Sequence, residues 1–150
     1  MKVKYFTYGS NMCTKRMIKR CSTAKPYGIA KLPDKRLVCN KKSEDGSSKA
    51  NLEDAPGDNV WGVLYEMDSP ELNILDKREK GYDRISLNVL ADDELSLEAY
   101  VYISSKLTSD PRPYNSYKEL MINGAIEHKL PSCYIEFLKQ IDSKSDTGNV

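Results

Sequence analysis

Residues 5–12 read Tyr-Phe-Thr-Tyr-Gly-Ser-Asn-Met, an apolar strand that breaks at Gly9-Ser10 just before a helical pattern. The N–H groups at such a joint lie outside the helix's own bonding and carry partial positive charge. They can hold a carboxylate or a developing oxyanion. Gly9 would add conformations closed to other residues and a close approach to a ligand. Further along, Leu75-Asp76-Lys77-Arg78-Glu79 puts a carboxylate in the last turn of an expected helix. The helix dipole disfavours a negative charge there by roughly 0.3–1 kcal/mol. Turned inward, Glu79 would be desolvated and its pKa raised, which suits a proton shuttle. Turned outward among Lys77, Arg78 and Lys80, it is a solvated surface carboxylate. Likewise, the Gly-Ser joint on its own is a common structural connection.

Other chemistries have little material. His128 is the single histidine, and Cys13, Cys21, Cys39 and Cys133 lack any Cys-x-x-Cys spacing. A zinc site or a Ser-His or Cys-His nucleophile is therefore not expected. The cysteines read as reduced, packed thiols of a cytoplasmic protein. With 23 basic and 22 acidic residues the net charge is +1, which offers no field for a nucleic-acid backbone or an anionic membrane. No apolar run approaches the length of a membrane span or a secretory signal. Lys15-Arg16 and Lys19-Arg20 read as a solvated helix face, with a ligand or partner site as the alternative.

Hydrophobic residues at 39% and charged residues at 30% suit one soluble domain with one core. Alternation marks a strand at 3–8, and Asn11 is placed to cap a helix over 12–21. Short strands are expected at 27–32 and 36–40, a mobile polar loop at 41–50, and a turn at Asp54-Ala55-Pro56-Gly57-Asp58. A buried strand follows at 60–67. Ser69-Pro70-Glu71 opens a helix that Gly81 stops. Residues 82–90 and 95–103 form a hairpin, with Leu95, Leu97, Ala99, Val101 and Ile103 on one face and Glu98, Tyr100 and Tyr102 on the other. Helices are expected over 115–128 and again after Leu130-Pro131, where Tyr134, Ile135, Leu138 and Ile141 form a stripe. Strands come in clusters, so the class is α+β: a small, curved, mixed but mainly antiparallel β-barrel flanked by helices. The domain is expected to span 1–142, with 143–150 a flexible tail.

The ordered set Tyr5-Phe6-x-Tyr8-Gly9-Ser10-Asn11-Met12, Pro56-Gly57-Asp58-x-Val60-Trp61-Gly62-Val63, Leu75-Asp76-x-x-Glu79, Tyr82, Tyr117, Gly124-Ala125 and Leu130-Pro131 resembles the gamma-glutamylcyclotransferase family from Tyr5 to Ile141. The resemblance implies a compact barrel flanked by helices. It implies Glu79 as catalytic acid/base and Tyr5, Phe6, Thr7, Tyr8, Gly9, Ser10 and Asn11 as the substrate-cradling segment. Tyr117 would line the pocket and Tyr82 would form a second aromatic wall. Between Glu79 and Tyr82 stand only Lys80-Gly81, shorter than in many relatives and with lysine where glycine is usual. The implied substrate is a small gamma-glutamyl amino acid or amine, which cyclises to 5-oxoproline with no metal and no cofactor. A homodimer is implied by family analogy. The alternatives are removal of a gamma-glutamyl protecting group in a biosynthetic pathway, or a non-catalytic small-ligand-binding protein on the same scaffold.

Overall fold

A computed structural model describes residues 1–146. Five strands close into a barrel: β1 (Lys2–Thr7), β2 (Lys25–Lys42), β3 (Ser48–Asp68), β4 (Asp83–Ala91) and β5 (Ser96–Ile103), in the spatial order β1-β3-β2-β4-β5. Four of the pairings are antiparallel, and a parallel contact at Tyr5↔Tyr100 shuts the seam. This is the mixed, mainly antiparallel barrel expected from the pattern of strands.

The strands are longer than the sequence suggests. The two short strands expected at 27–32 and 36–40 are one strand, β2, and the expected turn at 54–58 lies inside β3. Pairing shifts register between Pro33 and Lys35, where Pro33↔Asn59 gives way to Lys35↔Asp54. The residues in excess form a bulge, held by the Gly57 N–H donating to Asp34 Oδ1 at 3.0 Å. Bulges bend a long ribbon, which is how β2 and β3 curl far enough to close a barrel of five strands. The loop expected over 41–50 shrinks to a tight turn. There Asp45 accepts from the N–H and hydroxyl of Ser47, and strand resumes at Ser48.

Among the described residues, four helices pack around the barrel: α1 (Thr14–Arg20), α2 (Glu71–Arg78), α3 (Asn115–Glu127) and α4 (Ser132–Lys139). A 3₁₀ turn over Ser10–Met12 precedes α1. Neither expected N-cap works as one, since Asn11 and Ser69 make no side-chain capping bond. Glu71 receives the N–H and hydroxyl of Thr23 and so ties α2 to the chain entering β2. Phe6, Leu64, Val63, Tyr65, Val89, Val101, Met12, Met121 and Leu138 form the fully buried centre.

Two contacts fix the cradle segment. A Cβ at Gly62 would stand 2.4 Å from the Thr7 carbonyl oxygen and 2.8 Å from Phe6 Cζ. A Cβ at Gly124 would stand 2.7 Å from Met12 Cβ and 2.8 Å from Cys13 N. Glycine on β3 thus lets β1 end where it does, and glycine on α3 lets the helix lie directly on the turn that follows. The described residues of the segment expected to be a tail, 143–146, run beside 113–116: Lys144 N–H donates to Pro113 O, and Asn115 N–H to Lys144 O. The remainder of that segment, 147–150, lies outside the described residues. Among the described residues no helix is long and apolar enough to cross a membrane.

Candidate active site

β1 delivers Tyr5, Phe6 and Thr7 to one end of the barrel, and Tyr8-Gly9 turns the chain into the 3₁₀ segment. Together with Ser10 and Asn11 these residues line a small cavity of about 40 Å³, completed by Ala50, Glu79, Tyr82, Tyr102 and Tyr117. The sequence-predicted residues are thus brought to one place. Gly9 has φ −114°, so its backbone conformation does not require glycine. Space does, because a Cβ there would lie 2.9 Å from the Tyr117 hydroxyl. That hydroxyl accepts the Ala50 N–H at 3.2 Å and also bonds the backbone of Ser10.

Glu79 follows the last residue of α2 with φ −93° and ψ 56°, and its N–H closes the helix on Leu75 O. The change of direction swings its side chain inward, leaving 16% of it exposed. Asn11 does not cap a helix because its amide is used here. Nδ2 donates to Glu79 Oε1 at 2.8 Å and to the Tyr5 hydroxyl at 3.1 Å. Asn11 Oδ1 is buried and has no hydrogen-bond partner among the described residues. Burial raises the Glu79 pKa above the usual carboxylate value, while Arg20, the Asn11 amide, Arg16 and Lys41 pull it back. The carboxylate is therefore held where burial and the surrounding positive groups oppose each other.

The surrounding tyrosines act as neutral hydrogen-bonding walls. Burial pushes the hydroxyl pKa values of Tyr5, Tyr8, Tyr82, Tyr102 and Tyr117 well above their ordinary value. Tyr8 donates to the Tyr102 carbonyl, and Tyr82 to the Ala50 carbonyl at 2.6 Å. His128 stands elsewhere, sharing a 2.8 Å hydrogen bond with Thr14 Oγ1. All four cysteines are free.

Residues 59–138 match the AIG2-like family. Over 97% of this chain and 82% of the relative, the sequence is 34% identical to a human protein named gamma-glutamylcyclotransferase, and 32% identical to the bovine protein of that name. A solved structure named gamma-glutamyl cyclotransferase superposes with a TM-score of 0.93 at 31% identity, covering 100% of this chain and 94% of that one. The chain belongs to the gamma-glutamylcyclotransferase family.

In this gamma-glutamylcyclotransferase family member, further residues that the sequence did not single out line the cavities. Arg16 and Arg20 are not on a solvated face. They line a cavity of about 510 Å³ that shares Ser10, Glu79, Tyr82 and Tyr117 with the smaller one. Arg20 Nη1 lies 3.6 Å from Glu79 Oε1. Lys15 and Lys19, beside them in sequence, are exposed. The signal was the i,i+4 spacing of the two arginines on a helix that begins at the cradle. Tyr102 was also missed. Its side of β5 is covered by α2, where its hydroxyl donates to Asp76 Oδ1 at 2.6 Å. The short Lys80-Gly81 segment is accommodated by Gly81 at φ +84°, a left-handed conformation that returns the chain to Tyr82 within two residues.

Proposed function

We propose that this protein is a gamma-glutamylcyclotransferase, with Glu79 as its acid/base and Tyr5–Asn11 as its substrate cradle. One observation carries the reading. The Asn11–Glu79 hydrogen bond joins the two motifs across one small cavity, so a ligand only a few bonds long would touch both.

The substrate supplies its own nucleophile and electrophile. The α-amine nitrogen attacks the γ-carbonyl carbon, a C–N bond forms to close the five-membered lactam, and the C–N bond to the leaving group breaks. A proton must leave the α-ammonium group and one must reach the departing nitrogen. Deprotonating an α-amine about one pKa unit above neutrality costs about 1.4 kcal/mol. Glu79 takes that proton and returns one to the leaving nitrogen, help typically worth about 10²–10⁴-fold. Asn11 lines the same cavity, and its buried Oδ1, without a partner among the described residues, is an acceptor that could serve the substrate ammonium group. Backbone N–H groups of the cradle other than that of Ser10, which bonds the Tyr117 hydroxyl, serve the developing oxyanion or the α-carboxylate. The tyrosine walls hold amine over carbonyl, which is the entropic part of the work. No step calls on a cofactor. Free thiols at all four cysteines support a cytoplasmic location.

The test is incubation of the purified protein with a panel of gamma-glutamyl amino acids and amines, assayed for 5-oxoproline. The expected result is stoichiometric 5-oxoproline and free amine from at least one member. Uncyclised glutamate as the product, or no product from any member, would overturn the reading.

A further inference from the structure

The larger cavity opens from the small one past Tyr82 and Tyr117, and its lining is unlike the rest of the molecule. Eight of its residues are lysine or arginine (Arg16, Arg20, Lys41, Lys42, Lys49, Arg78, Lys80, Lys106) against two glutamates, Glu44 and Glu79. The whole chain carries a net charge of only +1, so the positive charge is gathered here and the remainder is net acidic. Among the described residues, Lys41, Lys42, Arg78, Lys80, Lys106 and Arg16 form no ion pair. Arg16 Nε is buried without a partner among the described residues.

The placement of the lysines is specific. Lys49 Nζ stands 4.5 Å from the centre of the Tyr117 ring, and Lys41 Nζ 5.1 Å from that of Tyr82. Lys41 is only 8% exposed and forms no ion pair among the described residues, a costly position for an ammonium group that the charge of Glu79 offsets in part. Lys41 and Lys106 pack on Gly81, where a Cβ would meet Lys41 Cε at 2.9 Å and Lys106 Cδ at 3.5 Å. Lys42 N–H donates to Lys106 O at 2.8 Å, which ties the end of β2 to the segment that follows β5. Whatever leaves the small cavity between the two tyrosines therefore enters a basic rim, in which Lys49 pairs with Asp45 and Arg20 with Glu79 while Lys41, Lys42, Arg78, Lys80 and Lys106 form no ion pair among the described residues.

We infer that the leaving amine of the substrate carries at least two carboxylates, as an acidic amino acid or a short acidic peptide does, and that Lys41, Lys42 and Lys106 select for it. The inference rests on the cyclotransferase reading and deepens it. A single carboxylate on the leaving group would leave most of these cations unanswered, whereas a second answers them at the rim and steers the substrate inward.

The test compares kcat/KM for γ-glutamyl-glutamate and γ-glutamyl-glutamine, which match in size and differ by one carboxylate, with γ-glutamyl-alanine as a third substrate. The expected ratio of the first two is about tenfold in favour of glutamate at low ionic strength, shrinking as salt screens the rim. Lys42→Gln and Lys106→Gln, both at exposed positions, are expected to collapse the ratio, singly in part and together almost fully. A ratio at or below one, or a ratio untouched by the double variant, overturns the inference alone. Absence of 5-oxoproline from all three substrates and from the wider panel overturns the cyclotransferase reading and the inference with it.

Discussion

Glu79 sits where three influences on a carboxylate meet, and their balance sets how it can work. Burial favours the protonated form and ranks first, while Arg20 at 3.6 Å and the Asn11 amide favour the charged one. A carboxylate acting as base must be ionised, so the rate falls as pH drops through the raised pKa. Removing the Arg20 charge removes the strongest force holding that pKa down. Arg20→Gln is therefore expected to move the acid limb of the kcat profile to higher pH, with the change concentrated at acidic pH. An acid limb that stays where the parent protein has it would show that Arg20 does not act on the titrating group. A resemblance of ordered motifs singled out Glu79 and Tyr5–Asn11, which the structure brings to one cavity. It did not supply Arg16 and Arg20, because a basic run on a short helix looks the same whether one of its sides faces water or a cavity. Only packing separates Arg16 and Arg20 from Lys15 and Lys19.

At the scale of elements, the site depends on how closely α3 lies on the turn after β1. Gly124 contacts Met12 and Cys13 without room for a methyl group. Gly124→Ala is expected to destabilise the protein by about 1–3 kcal/mol and to raise KM, since the turn it displaces carries Asn11. Gly28 on β2 serves as the comparison, because a Cβ added there would meet nothing within 4 Å. Urea unfolding of the two alanine variants checks this, and equal midpoints would contradict it. Elements bounded by ordinary signals were legible: β1, the β4–β5 hairpin and the helices opened by Ser69-Pro70 and Leu130-Pro131 stand close to their expected spans. The β2–β3 ribbon was not. Its bulge is built from Asp54, Pro56, Gly57 and Asp34, the residue types that also build turns, so local sequence could not separate a bend within a strand from the end of one. Tyr102 was lost for a related reason. Strand alternation says which residues share a face, and at Val101 and Tyr102 both faces are buried although Ser96 and Glu98, on the face of Tyr102, are exposed.

At the scale of the whole molecule, the barrel brings β1, the end of α2 and the β2–β3 turn to one rim, with a neutral tyrosine-lined cavity inside and a basic one outside. The proposed mechanism turns on a proton carried by Glu79, and Glu79→Gln tests it. Glutamine keeps the size of the side chain and a hydrogen-bonding end but cannot shuttle a proton. The folded pKa of Glu79 lies above its unfolded value, so folding favours the protonated form. The cost of holding the charge is present at neutral pH and fades as pH falls through the raised pKa. Glu79→Gln should therefore melt at the same temperature as the parent or higher at neutral pH, with any gain vanishing in acid. In that folded protein, single-turnover formation of 5-oxoproline from the best gamma-glutamyl substrate is predicted to slow by about 10²-fold or more. Parent-like formation of 5-oxoproline by a well-folded Glu79→Gln protein would contradict the mechanism.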